Sequence, residues 1–265
     1  YQPMFHELQI FENPEAILLV ASIIFFFSII AGKAGFRFGL PALLLFLGVG
    51  MLFGSDGLGI QFSNPSAAQF IGMLALSIIL FSGGMDTKMS EIKPIATEGV
   101  VLATVGVLLT TLITGGFIYY VFLWSTGYET LTVAESMLMA AVMSSTDSAS
   151  VFSILRSKGV YLKQRLRPTL ELESGSNDPM AYMLTLLIIA YIQVGGMNLQ
   201  EAVLQLLVQL SVGAIAGFLL GKLAVLMINK INMDNESLYP ILLLTTAFFT
   251  FSATTLCKGN GYLAV

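Results

Sequence analysis

The sequence has 265 residues, of which 56% are hydrophobic and only 11% are charged, and its formal net charge is −4. An ordinary soluble domain has roughly 25% charged residues, so this composition cannot cover a water-facing surface. The apolar residues come in blocks of roughly 20, the length that a helix needs to cross ~30 Å of hydrocarbon. A membrane β-barrel would instead alternate apolar and polar residues in short segments. The composition therefore predicts an all-α fold, a polytopic bundle of transmembrane helices, and excludes a soluble fold and a barrel.

In chain order, the apolar blocks predict eight membrane-spanning helices. They cover Ala16–Ala31, Leu40–Phe53, Ala67–Met85, Val100–Leu123, Val133–Leu155, Pro168–Gln193, Leu199–Ile228 and Ser237–Cys257. The last residues, Gly259–Val265, have the composition of a loop that enters a ninth span. We therefore expect the sequence to belong to a longer chain.

The basic residues predict how these helices are oriented. If the N-terminus lies outside, the inner loops and helix ends carry Lys33, Arg37, Lys88, Lys93, Arg156, Lys158, Lys163, Arg165, Arg167, Lys222 and Lys230, which leaves only Lys258 of the 12 basic residues outside. Lysine and arginine are enriched in the cytoplasmic loops of membrane proteins. The pattern therefore predicts a multi-pass protein with its N-terminus outside.

Most of the 16 acidic residues can be assigned to loops or helix ends, but four cannot: Asp147, Glu171, Glu173 and Asp178. Ionisable groups inside a membrane are costly and usually functional. Asp147 precedes Arg156 by nine residues and Asp178 follows Arg167 by eleven, which at ~1.5 Å per residue places them about 13 and 16 Å from the inner surface. Since the two spans form a hairpin, these two carboxylates can face each other near the middle of the membrane.

A polar run surrounds the first of these carboxylates. Residues 144–150 read Ser-Ser-Thr-Asp-Ser-Ala-Ser. Serine and threonine side chains compete with the backbone for hydrogen bonds and help an unwound turn to persist. Interrupted helices of this kind present backbone carbonyls to ions in secondary transporters. We expect the helix to unwind here, although a continuous helix with its hydroxyls bonded to its own carbonyls remains an alternative.

The second carboxylate lies in an oxygen-rich segment, Glu171-Leu172-Glu173-Ser174-Gly175-Ser176-Asn177-Asp178-Pro179. Helical spacing places Ser174 and Asp178 on one face and Glu173 and Asn177 on a neighbouring one. Pro179 cannot donate to the carbonyl of Gly175. Carboxylate, hydroxyl and carbonyl oxygens suit a hard cation such as Na⁺ or K⁺. Because a proton and a cation would compete for the same carboxylate, the segment is compatible with antiport. A purely structural network of acids is the alternative.

The segments Ser144–Asp147 and Glu171–Ala181 resemble those of the monovalent cation:proton antiporter superfamily, in particular its NhaP-type branch of bacterial potassium/proton antiporters. The resemblance implies an inverted-repeat antiporter fold with discontinuous core helices, of which this chain would hold the N-terminal two thirds or so. It implies scaffold or dimer helices in residues 1–98 and 194–265 and a core ion-translocation domain in residues 99–193. It also implies a homodimer in the bacterial inner membrane.

By the same resemblance, Asp178 binds the cation and the proton in turn. Ser174 contributes a hydroxyl, Glu173 a further acidic contact and Thr146 a main-chain carbonyl, while Asp147 pairs with Asn177 and holds the unwound segments in place. The bound metal would be a monovalent cation at Asp178, Ser174 and Thr146. An Asn-Asp pair implies electroneutral exchange, and the second broken helix of the family is expected beyond Val265.

Two other functions compete with antiport. A cation channel could also use buried acids to line its pore, and proton-coupled exchange would separate the two classes. An intramembrane aspartyl hydrolase could use Asp147 and Asp178, but no feature for peptide recognition accompanies them, so an enzyme is not expected. The basic residues are scattered at helix ends, which gives no support for nucleic-acid binding. No cofactor is expected beyond the transported K⁺ or Na⁺ and H⁺, and the choice between the two metal cations stays open.

Overall fold

The computed structural model describes residues 14–38, 42–55, 57–60, 62–126, 131–147, 150–151, 155, 162–195, 198–231 and 235–265. Within these ranges every regular element is a helix. The helices are α1 (Pro14–Phe38), α2 (Ala42–Phe53), α3 (Pro65–Asp86), α4 (Met89–Ile92), α5 (Ala96–Val101), α6 (Val107–Thr126), α7 (Val133–Met143), α8 (Leu166–Val194), α9 (Leu199–Lys230), α10 (Leu238–Leu256) and α11 (Gly261–Ala264). A 3-10 turn at Lys93–Ile95 and a π-helical turn at Leu102–Gly106 join α4, α5 and α6. The all-α prediction is confirmed.

Five helical stretches in the described ranges are long and apolar enough to cross a membrane. They are Pro14–Lys33, Pro65–Met85, Met89–Thr126, Gln200–Lys230 and Leu238–Leu256, and two shorter apolar helices cover Leu43–Phe53 and Val133–Met143. The 29 residues of α8 extend over roughly 43 Å, which is also enough to cross, although this helix carries the charged segment. Large apolar side chains cover the outside of the helices, as lipid-facing surfaces require.

Two predicted helix ends are wrong. The first helix was expected to stop at Ala31 but continues to Phe38, so Lys33 lies in a helix rather than in a loop. A glycine such as Gly32 costs a helix only about 1 kcal/mol, which its neighbours can offset. The fifth was expected to run from Val133 to Leu155, but α7 ends at Met143.

The chain forms two compact units, one through Phe70 and the other from Ile71 to Val265. In the first unit α1 packs against α2. The rings of Phe27 and Phe53 are 5.7 Å apart. The predicted division into residues 1–98, 99–193 and 194–265 stays a prediction.

In the second unit, α8 is the helix on which the others converge. It packs against α5, α6, α7, α9 and α11. Its buried residues Met180, Ala181 and Met183 form a core with Val107 of α6. Leu206 and Leu210 of α9 pack on this core, so α8 is held on several sides.

The segment from Lys258 to Ala264 packs between α9 and α10. A Cβ atom added at Gly213 would lie 2.9 Å from the carbonyl oxygen of Asn260, and one added at Gly217 would lie 2.5 Å from that of Ala264. Real Cβ atoms do not approach backbone so closely, so these two glycines of α9 form a groove for the inserted segment.

The groove predicts a contrast between two glycines of the same helix. Gly217→Ala overpacks the contact with Ala264 and should cost about 1–3 kcal/mol of stability. Gly221→Ala, where nothing lies within 4 Å of the added methyl, should be neutral or stabilise by up to about 1 kcal/mol. Thermal unfolding of the full-length protein in detergent measures both, and equal melting temperatures would contradict the groove.

Candidate functional site

The polar run predicted to unwind lies where α7 stops. Helix α7 starts with a capping box in which the Thr132 hydroxyl accepts from the Glu135 N–H at 3.2 Å and the Glu135 carboxylate accepts from the Thr132 N–H at 2.8 Å. It ends at Met143, and Ser144–Asp147 have no regular helical structure. A helical hydrogen bond returns between the N–H of Val151 and the carbonyl of Asp147 at 3.0 Å. The predicted interruption of the helix is confirmed over these four residues.

The interruption is bound to α8 by side-chain hydrogen bonds. The Ser145 hydroxyl lies within hydrogen-bonding reach of a carboxylate oxygen of Asp178 and, at 3.1 Å, of the side-chain oxygen of Asn177. The Thr146 hydroxyl donates to that of Ser174 at 3.1 Å. The polar run and the acidic segment are therefore in direct contact through Ser145 and Thr146, while the predicted facing of the Asp147 and Asp178 carboxylates stays a prediction.

The side chain of Asn177 takes part in three of these hydrogen bonds. Its amide nitrogen donates to the Thr146 hydroxyl at 2.7 Å and to a carboxylate oxygen of Glu173 at 2.8 Å. Its amide oxygen is the one that Ser145 approaches. Asn177 is fully buried, and a buried amide is costly unless its polar atoms are paired. Both ends of the amide are paired here, which fixes its orientation.

The remaining acids have separate partners. Asp147 accepts a hydrogen bond from the Ser150 hydroxyl at 2.6 Å. The hydrogen bonds described for Asn177 go to Thr146, Glu173 and Ser145, so the predicted pairing of Asp147 with Asn177 stays a prediction. Glu171 is buried and forms an ion pair with Arg167, with 3.1 Å between Oε1 and Nε. This ion pair joins residues one turn apart within α8, and the Arg167 side chain stays about half exposed.

The cluster consists of oxygen atoms at different depths. Ser174 is fully buried, Asp178 is half-buried, and Thr146 and Asp147 are exposed. Its potential ligands are the carboxylate of Asp178 and the hydroxyls of Ser145, Thr146 and Ser174. Such oxygens can replace the hydration shell of a monovalent cation, so the residues fit the predicted ion.

Sequence reasoning did not select Ser145 as a site residue, although it lies in the polar run. Its position directly before Thr146-Asp147, in a segment expected to unwind, was the feature of the sequence that could have indicated it. Once the chain leaves the helix, a residue's side chain is no longer directed by helical spacing. Its contact with Asp178 could therefore not be predicted from spacing alone.

The helical membrane architecture with a polar break opposite an acidic helix defines a class of ion-transporting proteins. The family model for "Sodium/hydrogen exchanger, transmembrane" matches residues 13–265. The chain belongs to this family and is a multi-pass membrane protein.

Three relatives illustrate the likeness. The K⁺/H⁺ antiporter NhaP of Alkalimonas amylolytica is 38% identical over 94% of this chain, and the K⁺/H⁺ antiporter NhaP2 of Shewanella oneidensis is 35% identical over 96%. This chain spans only 42% and 43% of the length of those two relatives. The solved structure of the sodium proton antiporter MjNhaP1 from Methanocaldococcus jannaschii shares its fold, with a TM-score of 0.70 and 22% identity over 94% of this chain and 60% of that one. The predicted family and antiporter fold are thus confirmed.

The hydrogen bonds at the interruption predict its contribution to stability. Thr146→Val keeps the shape of the side chain but removes the hydroxyl that serves Ser174 and Asn177, and should cost about 1–3 kcal/mol. Thr245→Val is the matched control, because the exposed Thr245 hydroxyl bonds only to the carbonyl of Ile241 in its own helix. We expect a lower melting temperature in detergent for the first variant and little change for the second. If Thr146→Val has the same melting temperature as the wild type, these hydrogen bonds do not stabilise the helix interruption.

Proposed function

We propose that this protein exchanges a monovalent cation, K⁺ or Na⁺, for H⁺ across the membrane by alternating access. The observation that carries the proposal is the contact of the Ser145 hydroxyl with the carboxylate of Asp178, beside a helix interruption. A carboxylate surrounded by hydroxyl groups binds a cation when ionised and a proton when neutral, but not both at once. The family membership supports the same activity, as do the names of the two curated relatives.

In this proposal Asp178 alternately holds the cation and the proton. Ser174 and Thr146 supply further oxygens, Thr146 through its carbonyl or its hydroxyl. Glu173 contributes through Asn177, whose amide it orients by accepting a hydrogen bond. Asp147 and Asn177 hold the interruption in place. The metal taken up would be the transported ion itself, with no separate cofactor and no enzymatic step.

The hydroxyl of Ser145 adds a proton-dependent step. It has a single hydrogen, which it can donate to only one of its neighbours at a time. With Asp178 ionised, the hydrogen goes to the carboxylate, because charge-assisted hydrogen bonds are the stronger ones. With Asp178 protonated, the carboxyl can donate to Ser145, whose own hydrogen then turns to the oxygen of Asn177. Protonation would thus rearrange the hydrogen bonds of the interruption as well as release the cation.

The setting of the protein belongs to the same proposal. The basic residues favour an outer N-terminus, because cytoplasmic loops are rich in lysine and arginine, and a bacterial inner membrane is the corresponding location. The exposed side of Thr146 and Asp147 would face the second half of a longer antiporter core. We also propose a homodimer, with residues 1–98 and 194–265 on the scaffold side of a core of residues 99–193.

The first test is the loss of exchange in Asp178→Asn. The full-length protein is reconstituted in vesicles that contain a pH-sensitive dye, and K⁺ or Na⁺ is added with the membrane potential clamped at zero. Cation-driven proton movement should persist in the wild type and fall by at least about 100-fold in the variant, since asparagine cannot carry the proton. Glu201→Gln, an exposed acid in the first turn of α9, is the control and should keep full activity.

Two outcomes would contradict this assignment. Full exchange in Asp178→Asn would place the site on another carboxylate. Cation current without obligatory proton exchange would identify a channel with an acid-lined pore instead of an antiporter.

Competition for one carboxylate also predicts a specific pH dependence. Where Asp178 is mostly protonated, the apparent KM for the cation should rise about tenfold for each unit by which the pH falls, while the maximal rate at saturating cation stays nearly constant. Initial exchange rates at several pH values measure both quantities. A KM that does not depend on pH, with a maximal rate that does, would mean that proton and cation bind at separate groups.

A further inference from the structure

The turn between α10 and α11 contains a buried amide that the proposed transport site does not use. Asn260 is only 4% exposed. Its N–H donates to the carbonyl of Gln209 in α9 at 3.0 Å, and its side-chain oxygen accepts from the N–H of Leu263 at 3.0 Å. Its side-chain nitrogen donates to the carbonyl of Pro179 in α8, also at 3.0 Å. The side chain therefore joins α8 to α11, and the backbone N–H of the same residue adds a bond to α9.

The surrounding packing holds this amide against α8. The groove formed by Gly213 and Gly217 lets the segment from Asn260 to Ala264 approach α9 at backbone distance. On the other side, the ring of Tyr262 meets that of Tyr182 in α8 edge to face, with centroids 4.9 Å apart. Tyr262 is itself buried, so the position of the turn is fixed by backbone as well as by side chains.

The carbonyl that Asn260 contacts belongs to the residue directly after Asp178. Pro179 is fully buried inside α8 and cannot donate a hydrogen bond to Gly175. Helices bend most readily where a proline removes a backbone hydrogen bond. The direction of the Asp178 carboxylate thus depends on how α8 is held at this weak point. On the side that faces α7, hydrogen bonds of Ser145 with Asn177 and Asp178 fix this part of α8. On the side that faces α9 and α10, the hydrogen bond from Asn260 fixes it.

We propose that Asn260 is a positioning residue for Asp178, acting through its hydrogen bond to the carbonyl of Pro179. The inference rests on the proposed exchange function and extends the ion site to a turn 81 residues further along the chain. In this proposal the segment after α10, which was predicted to belong to the scaffold, is hydrogen-bonded directly to the helix that bears Asp178.

A simpler role for Asn260 would be to cap α11, because asparagine is a favoured N-cap residue. Asn260→Asp separates the two roles. Aspartate keeps the oxygen that caps Leu263 but replaces the nitrogen that donates to Pro179 with a second oxygen. Asn260→Ser is a second variant without added charge: its hydroxyl can still cap, but it is too short to reach α8. Asn198→Asp is the matched control, since Asn198 is an exposed N-cap of α9 whose side-chain oxygen accepts from Gln200.

The experiment uses the full-length protein in vesicles, with K⁺ and Na⁺ as probes and wild type, Asp178→Asn, Asn198→Asp and the two Asn260 variants side by side. We expect the apparent KM for the cation to rise roughly three- to tenfold in both Asn260 variants, as the loss of one buried hydrogen bond would produce. The pH dependence of the exchange rate should shift together with the KM. Asn198→Asp should match the wild type in both quantities. The amount of folded protein and its melting temperature are measured on the same samples.

The outcomes are distinct. Unchanged KM and pH profile in folded Asn260 variants would overturn the positioning role and leave capping alone. Failure of both variants to accumulate as folded protein would also overturn it, because Asn260 would then be needed for folding rather than for ion binding. If the wild type itself shows no cation-driven proton movement, the proposed exchange function is wrong. The positioning role of Asn260 is judged only from the comparison of its variants with an active wild type.

Discussion

The amide of Asn177 is the interaction on which the site depends. An interrupted helix inside a membrane exposes backbone groups that have no water to bind, so it persists only where protein groups hold it. Asn177 holds the interruption from α8 through hydrogen bonds with the side-chain hydroxyls of Thr146 and Ser145, while Glu173 fixes the orientation of the amide. A carboxylate at this position would add an acid to a cluster that already contains Asp178 and Glu173. A neutral amide binds the break and leaves Asp178 as the acid in contact with Ser145.

The match between sequence and structure is uneven, for physical reasons. Hydrophobic blocks and the depth of Asp147 and Asp178 depend only on helical rise and membrane thickness, so the helices and their meeting could be predicted. The interruption at Ser144–Asp147 could be predicted too, because it follows from the local preference of serine and threonine. The hydrogen bond from Asn260 to Pro179 could not be, because it joins residues far apart in sequence and depends on the depth of a glycine groove.

Helix α8 combines two requirements that usually conflict. It must carry several polar groups, and it must be packed tightly enough to keep their geometry. Its first half meets the polar break, and the turn that follows, from Met180 to Met183, is embedded in an apolar core with α6 and α9. The change from one environment to the other falls at Asp178-Pro179. The Asp178 carboxylate thus lies at the border between a polar region and an apolar one.

The length of α9 links this border to the lipid. The helical stretch Gln200–Lys230 has 31 residues and is about 46 Å long, beyond the ~30 Å of a typical hydrocarbon core, with polar residues at both ends. Such a mismatch is relieved by tilting the helix or by thickening the bilayer around it. Because the same helix holds the turn of Asn260 in its glycine groove, a change in its tilt would displace that turn relative to α8. Bilayers of different acyl-chain length would therefore tune the geometry around Asp178 without any ligand or modification.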